Sequence, residues 1–347
     1  MRIVHFAPFA PNACGLYEAA RDMVIADFIA GHDVYMIDTG ITVGDTYIPG
    51  EIGKRDDRGG SYIVSSDPFI VNSADIIVAH SGIPDNWIAY NQAPIIWILH
   101  GRPRACFKPE NEGRGHSYSL MAQLAQTPRV KKLVTFWPYH VKFWEPIMSK
   151  DKLVCFDAPP IDQSRFSPNG PKYVHQKKGK WNILVADNWR EDVDTYEMIH
   201  GIIEASKRVD GLKVHFCSMF KTDGPWRFLL NELDKNGCLG EVAPLVINME
   251  HRYRDVDFLI SPNRIVVRTI GEAMSCGIPV IAAKGCDFVT YTATMDEPNN
   301  VADVICRLIE DLDNNKESVI NKVLEIAKLF SLERYNQQMS IIYNQIT

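Results

Sequence analysis

The amino-acid sequence predicts an α/β protein built from two Rossmann-like domains, each a doubly wound parallel sheet. Three observations carry that expectation. A chain of 347 residues is long for one core and suits two domains of ordinary size. Each half opens on an apolar strand, at residues 3–7 and 181–186. The other predicted strands are short, nearly continuous apolar runs, as parallel strands covered on both faces require.

Composition narrows the function classes. With 46% hydrophobic and 23% charged residues the chain belongs to the soluble globular class. Its net charge of −6 gives no general attraction to nucleic acid or anionic lipid, so any such binding would need a local basic patch. Eight cysteines are scattered without a CxxC pair or a His-Cys cluster at zinc spacing, and they read as reduced packing residues of a cytosolic protein. The N-terminal run reaches Pro8 and Pro11 at once and reads as a first strand, not a signal peptide. Apolar runs such as 94–99 fall far short of the roughly 20 residues of a membrane helix.

Taken in order, residues 3–7 are a strand and the loop 8–15 leads into a helix. Its apolar positions Leu16, Ala20, Met23, Val24 and Phe28 share a face. Gly31 closes the helix and residues 34–37 return as a strand; the absence of GxGxxG disfavours a dinucleotide dehydrogenase. Residues 41–73, rich in Gly, Asp, Pro and Ser, read as a surface excursion with a short strand at 62–64. Strands follow at 75–79, 94–99 and 133–136, and His100 ends the second of these. Another strand at 153–156 precedes Pro159 and Pro160, and the polar run 169–180 reads as linker.

The second half adds strands at 181–186 and 212–217. Residues 256–260 read as a buried strand ended by Pro262 and Asn263, residues 267–275 as a helix closed by Gly277, and 278–283 as the next strand. That helix opens at the carboxyl end of the sheet, where anions bind. Glu272, in its first turns, is placed either to hold a ribose diol or simply to favour the helix dipole. Amphipathic helices are expected at 301–312, 318–329 and 331–346.

The run DVDFLIS ending at Ser261, followed by Gly271-Glu272-Ala-Met-Ser-Cys-Gly277-Ile-Pro279-Val280, resembles the donor-site signature of the retaining GT-B glycosyltransferases of the family 4 type. The resemblance implies two Rossmann-like domains facing a cleft: residues 1–168 on the acceptor side, 169–328 binding the nucleotide-sugar, and a C-terminal helix, 329–347, crossing back to the first domain. It implies that Glu272 holds the ribose and that Ser261 and Gly271 belong to the donor site. Eight residues before Glu272, where the family has a sugar-binding glutamate, this chain has Arg264, and Val267 stands where a glycine is usual. CGLYEAARDMVIADFIAGHDV resembles the family's first unit, which makes Gly15 a donor-loop residue; a plain turn glycine is the alternative. His100 matches a strand-end histidine beside the donor sugar, against the alternative of a histidine bonded to backbone. Arg190 occupies the place of a diphosphate-binding arginine, with Thr195 where the family has a clamp lysine and Lys221 as a substitute. A surface arginine is the competing account of Arg190.

The activity this implies is transfer of a sugar from a nucleotide-sugar, a UDP-sugar, to a hydroxyl acceptor with retention at the anomeric carbon. The nucleotide-sugar is a co-substrate, and neither cofactor nor metal is expected. Acceptor candidates are Arg102 and Arg104 in a cationic loop and Trp137 and Tyr139 in an aromatic one, against the alternative of a solvated loop and inward-packed rings. The acceptor is a glycan, a lipid-linked hydroxyl or, in a phage-type enzyme working in the host cytoplasm, a hydroxymethylated base in DNA. A catalytically degenerate nucleotide-sugar binder is the non-enzymatic alternative.

Overall fold

Strand β1 (Arg2–Phe6) is the centre from which the first unit is built, because four of its five residues are buried. The structure is a computed structural model and describes residues 1–6, 15–37, 41–43, 46–48, 54–55, 63–65, 69–80, 92–100, 122–123, 125–186, 193–217, 224–243, 246 and 248–346. The chain divides into two compact units, residues 1–160 with 331–347 and residues 161–330.

In the first unit β1 is flanked by β2 (Asp33–Ile37) and β7 (Ile76–His80). A β3–β4 hairpin (Ile41–Val43, Thr46–Ile48) stands apart from the main sheet. The sheet is completed by β5 (Lys54–Arg55), β6 (Ile63–Ser65), β8 (Ile95–Ile98), β9 (Val130–Thr135) and β10 (Leu153–Cys155). Its order is β10-β9-β8-β7-β1-β2-β6-β5, parallel throughout except where β5 runs against β6. The chain winds outward from β1 in both directions, so the β1–β7 boundary is the switch point at which such sheets open a crevice.

Helix α1 (Gly15–Ile29) packs Tyr17, Ala20 and Val24 on Val34 and Met36 of β2. Phe28, expected on the apolar face, is instead exposed, while Asp22 and Asp27 are buried. Asp27 is buried with a partner because Tyr343 of the C-terminal helix donates to it, and Asp22 pairs with Arg21 at 3.6 Å. A short α2 (Phe69–Asn72) precedes β7, and α3 (Pro138–Trp144) follows β9, burying Trp144 against the sheet with Trp97 and Leu133.

The second unit contains β11 (Trp181–Val185), β12 (Leu212–Cys217), β13 (Leu239–Ala243), β14 (Phe258–Ser261), β15 (Val280–Ala283) and β16 (Tyr291–Ala293). They form one parallel sheet in the order β13-β12-β11-β14-β15-β16, with its switch point between β11 and β14. Helices α4 (Thr195–Ser206), α5 (Pro225–Lys235), α6 (Met249–Tyr253), α7 (Arg268–Ser275) and α8 (Pro298–Ala327) surround it. Gly201 lets α4 and α8 meet, since a Cβ there would lie 2.5 Å from that of Val301. The two helices expected at 301–312 and 318–329 form one run broken at Asn315, whose φ and ψ are −156° and 62°. Asn315 Oδ1 accepts the Ser318 N–H at 3.3 Å, so it acts as the cap of the second segment.

Residues 161–168, placed with the first domain on sequence grounds, cluster with the second unit. The reason is local bonding. Ile161 N–H donates to Phe330 O at 2.7 Å, and Gln163 Nε2 donates to Ala327 O at 2.6 Å. A 3₁₀ turn (Lys328–Phe330) then leads to α9 (Leu332–Ile346) in the first unit, where Asn336 Nδ2 donates to Ala26 O at 2.9 Å. No helix among the described residues is long and apolar enough to cross a membrane.

The expected linker 169–180 is bound to the amino ends of the second sheet's strands. His175 donates its amide to Asp255, and its ring stands 3.9 Å from that of His215. His215 Nδ1 accepts the Glu241 N–H at 3.2 Å, and Nε2 faces Asn182 Oδ1 at 3.3 Å, so its neutral form satisfies both ring nitrogens. Burial first, then the neighbouring His175, pushes the His215 pKa down to about 3 from an ordinary 6.5. Between those values the unfolded chain binds a proton that the folded chain refuses, so stability present above pH 6.5 is lost as pH falls toward 3. At pH 5 the loss from this group is about 2 kcal/mol. Urea unfolding at pH 7.5 and 5 should show a smaller drop in His215→Gln than in the wild type; equal drops would clear His215 of the effect.

Candidate functional site

Each unit presents polar side chains at the carboxyl edge of its sheet. In the second unit the loop after β14 is fixed from below. Ser261 is fully buried, and its Oγ accepts from Asn263 Nδ2 at 3.0 Å and the Asn263 amide at 3.4 Å. Asn263 O in turn accepts the Ala283 N–H at 3.2 Å, which ties the loop to the end of β15. Ser261 therefore shapes the loop from inside the protein.

Arg264 leaves that loop into solvent, its side chain 70% exposed and its Nη2 3.7 Å from Asp194 Oδ2. Asp194 immediately precedes α4, the helix that follows β11. The amino ends of α4 and α7 and the Arg264 guanidinium thus share the switch-point edge of this sheet. No side chain caps the start of either helix among the described residues. Both conditions favour an anion there.

Glu272 lies one turn into α7 and is 6% exposed. Its Oε1 accepts from Arg268 Nε at 2.6 Å, and its Oε2 accepts from Tyr253 O–H at 2.9 Å. The Arg268 guanidinium also lies over the Phe166 ring at 5.6 Å. Neighbouring Gly271 is a close-approach position, because a Cβ would meet Ile161 Cγ1 at 3.1 Å and Phe330 at 3.6 Å. Glu272→Gln should lower unfolding stability by about 1–3 kcal/mol, since an amide cannot accept from both donors. A denaturation midpoint equal to the wild type would show that these bonds contribute nothing.

In the first unit His100 follows β8 and is half-buried, its ring 5.5 Å from Phe136. Its Nε2 is 2.9 Å from Nδ1 of His80, the last residue of β7. His80 Nε2 is 3.0 Å from Nδ1 of His5 on β1, and His5 Nε2 is 2.9 Å from Asp27 Oδ2 on α1. Tyr343 of α9 donates its O–H to the same Asp27 oxygen at 2.8 Å. Burial first, then the charges of His100 and His5, holds the His80 pKa well below its ordinary value. Sequence reading singled out His100 alone. Positions 5, 27, 80 and 343 share no local spacing, and only the sheet order brings them together.

Gly15 is the first residue of α1 and is exposed. Trp137 is 8% exposed, its ring edge-on to Phe136 and to His140, so the ring is packed and not presented. Arg102, Arg104, Arg190, Lys221 and the Tyr139 side chain lie outside the described residues. Among the described residues no cluster of three His, Cys, Asp or Glu side chains is placed to hold a metal ion.

No known protein family and no curated protein matches this sequence. Its architecture nevertheless matches solved structures along their whole length. A glycosyltransferase from Rickettsia africae is 14% identical, with 99% of this chain and 98% of that one covered and a TM-score of 0.68. An α-glucosyltransferase solved with UDP-glucose and DNA containing an abasic site is also 14% identical, with 99% of both chains covered and a TM-score of 0.68. The trehalose-6-phosphate synthase OtsA is 10% identical over 100% of both chains, with a TM-score of 0.71. At such identities the likeness establishes the fold, and that fold is GT-B.

Proposed function

We propose that the protein is a metal-independent glycosyltransferase that moves a sugar from a UDP-sugar to a hydroxyl acceptor with retention of anomeric configuration. One observation supports this most. The signature region from Ser261 to Val280 falls at the switch-point edge of the second sheet, in a chain of GT-B fold, with a solvent-exposed cation beside two helix amino ends.

On this reading the diphosphate lies at that edge, and Arg264 faces the charge that develops as the sugar bond breaks. Arg190, between β11 and α4 in the sequence, adds a second cation, and Lys221 a third. The amide groups opening α4 and α7 contribute fixed dipoles that need no reorganisation during reaction. The departing phosphate oxygen takes the acceptor's proton, which dispenses with a carboxylate pair of the kind glycosidases use. Glu272 retains a ribose role only if its carboxylate exchanges a present partner, Arg268 or Tyr253, for the diol.

A hydroxymethylated base in DNA is a second reading of the acceptor, motivated by the likeness to the α-glucosyltransferase solved with DNA. The cationic residues Arg102 and Arg104 support it, whereas the buried Trp137 ring offers no stacking surface. Acceptor binding that falls steeply with added salt would favour it.

The decisive experiment is a thermal-shift screen of UDP-, GDP- and ADP-sugars. A true donor at a hundredfold excess over its Kd stabilises the fold by roughly 2.7 kcal/mol. Stabilisation by UDP-sugars together with transfer to a hydroxyl acceptor is the expected result. Stabilisation without transfer or hydrolysis selects a degenerate binder, and no stabilisation by any of the three overturns the proposal.

A further inference from the structure

Two adjacent strands at the centre of the first sheet each contribute one histidine, a third histidine lies two residues past the end of the next strand, and the register aligns them. His5 pairs with Val78 across β1 and β7, and His80 lies two residues further along β7. His80 pairs with Ile98 across β7 and β8, and His100 lies two residues beyond Ile98. Because side chains alternate with period two, each two-residue step stays on one face and moves toward the carboxyl edge. The rings follow one another with centroids 5.3 Å and then 5.1 Å apart. Asp27, His5, His80 and Tyr343 are all at most 3% exposed.

This chain has two self-consistent sets of hydrogen bonds that differ by one proton. Asp27 as a carboxylate only accepts, so His5 must carry a proton on Nε2. With His5 neutral, its Nδ1 accepts from His80 Nε2–H, and His80 Nδ1 accepts from His100 Nε2–H. With His5 as imidazolium, its Nδ1–H donates to His80, and His80 Nδ1–H donates to His100, so every bond reverses. His80 is neutral in both sets, which agrees with a buried ring whose charged form is disfavoured.

We propose that Asp27, His5 and His80 form a proton relay with His100 as its outer end, so that a proton taken up there is held as an imidazolium–carboxylate pair at His5 and Asp27. The step balances. A proton binds His100 Nδ1, the Nε2 proton of His100 passes to His80 Nδ1, and the Nε2 proton of His80 passes to His5 Nδ1. The proton leaves by the reverse path. Other ionisable groups near the inner end are Tyr343 and Tyr335 of α9, both held protonated by burial, and His32 just after α1. Arg21 and Asp22, earlier on α1, pair with each other at 3.6 Å. The role assigned to the relay rests on the proposed function: converting a UDP-sugar and an alcohol to UDP and a glycoside releases one proton, and once the departing phosphate oxygen has taken it from the acceptor and UDP has shed it, the relay is a place in the first unit that holds it. Asp27, His5 and His80 are then positioning residues acting through His100.

The test is nitrogen-detected NMR of the histidine rings in the full chain, titrated without nucleotide. As one proton is taken up, His5 should become the imidazolium while His80 and His100 stay neutral and exchange their Nε2–H forms for Nδ1–H forms. Asp27→Asn should move the added proton outward to His100, whereas Tyr343→Phe, which removes a donor to Asp27 and keeps the carboxylate, should leave the pattern intact. An imidazolium at His100 in the wild type, or an unchanged titration in folded Asp27→Asn, overturns the relay. The wild-type arm needs no variant to fold. A protein that titrates as described yet binds no nucleotide-sugar would refute the proposed function and leave the relay standing.

Discussion

Arg254→Ala should lower the unfolding free energy of residues 161–330 by about 3 kcal/mol or more, because three carbonyls lose their donor at roughly 1–3 kcal/mol each. Arg254 lies at the end of α6 and is 8% exposed. Its guanidinium donates to three carbonyls of one segment: Nε to Ser167 at 2.7 Å, Nη1 to Pro171 at 3.1 Å and Nη2 to Arg165 at 2.6 Å. Gly170 closes over the group with φ of 129°, and a Cβ there would meet Nη1 at 2.8 Å. Alanine would remove all three donors and leave a cavity under the loop. The same segment carries Arg165, which pairs with Glu250 at 3.1 Å, so its loosening would spread to α6. Lysine should not rescue, because one ammonium cannot match a planar fork aimed at three acceptors. Urea denaturation monitored by tryptophan fluorescence decides the matter; a loss below about 1 kcal/mol would mean that water replaces the guanidinium at little cost.

The parts of the fold that could be read in advance are those whose signal is local. The central strands β1, β7, β8, β11, β12, β14 and β15 are buried apolar runs, and each lies within about two residues of its predicted position. The edge strands of the second sheet were harder for a physical reason. β13 carries Gly240 and has one fully buried position among five, and β16 is three residues long, so neither has enough apolar periodicity to stand out. The partnership of Glu272 with Arg268 was available from their four-residue spacing on a helix. That with Tyr253 was not, since it depends on α6 packing beside α7. The histidine chain is the extreme case: its members are 75 and 20 residues apart, and what joins them is the β8-β7-β1 order of the sheet.

Arg264→Glu restores the glutamate expected from the resemblance, and it should weaken binding of a nucleoside diphosphate about 30-fold, near 2 kcal/mol, without weakening the bare nucleoside. The geometry argues for loss. Arg264 projects into solvent at the β14 switch-point edge, and the carboxylate of Asp194 lies 3.7 Å from it. A glutamate would set two carboxylates side by side at the start of α4, where the proposed diphosphate needs cations. A sugar-binding glutamate accepts hydrogen bonds from hydroxyls, whereas a guanidinium only donates, so the contact is reversed in polarity as well as in charge. Arg264→Gln separates the two contributions: it removes the cation without adding repulsion and should show roughly half the free-energy loss. Because the side chain is exposed, added salt should narrow the gap between wild type and Arg264→Glu. Calorimetric titration with UDP and with uridine measures the affinities, and turnover with the native donor under saturating acceptor measures the consequence. A gain in turnover for Arg264→Glu would mean that the arginine is a lost glutamate and no diphosphate ligand, and the degenerate-binder reading would then take precedence.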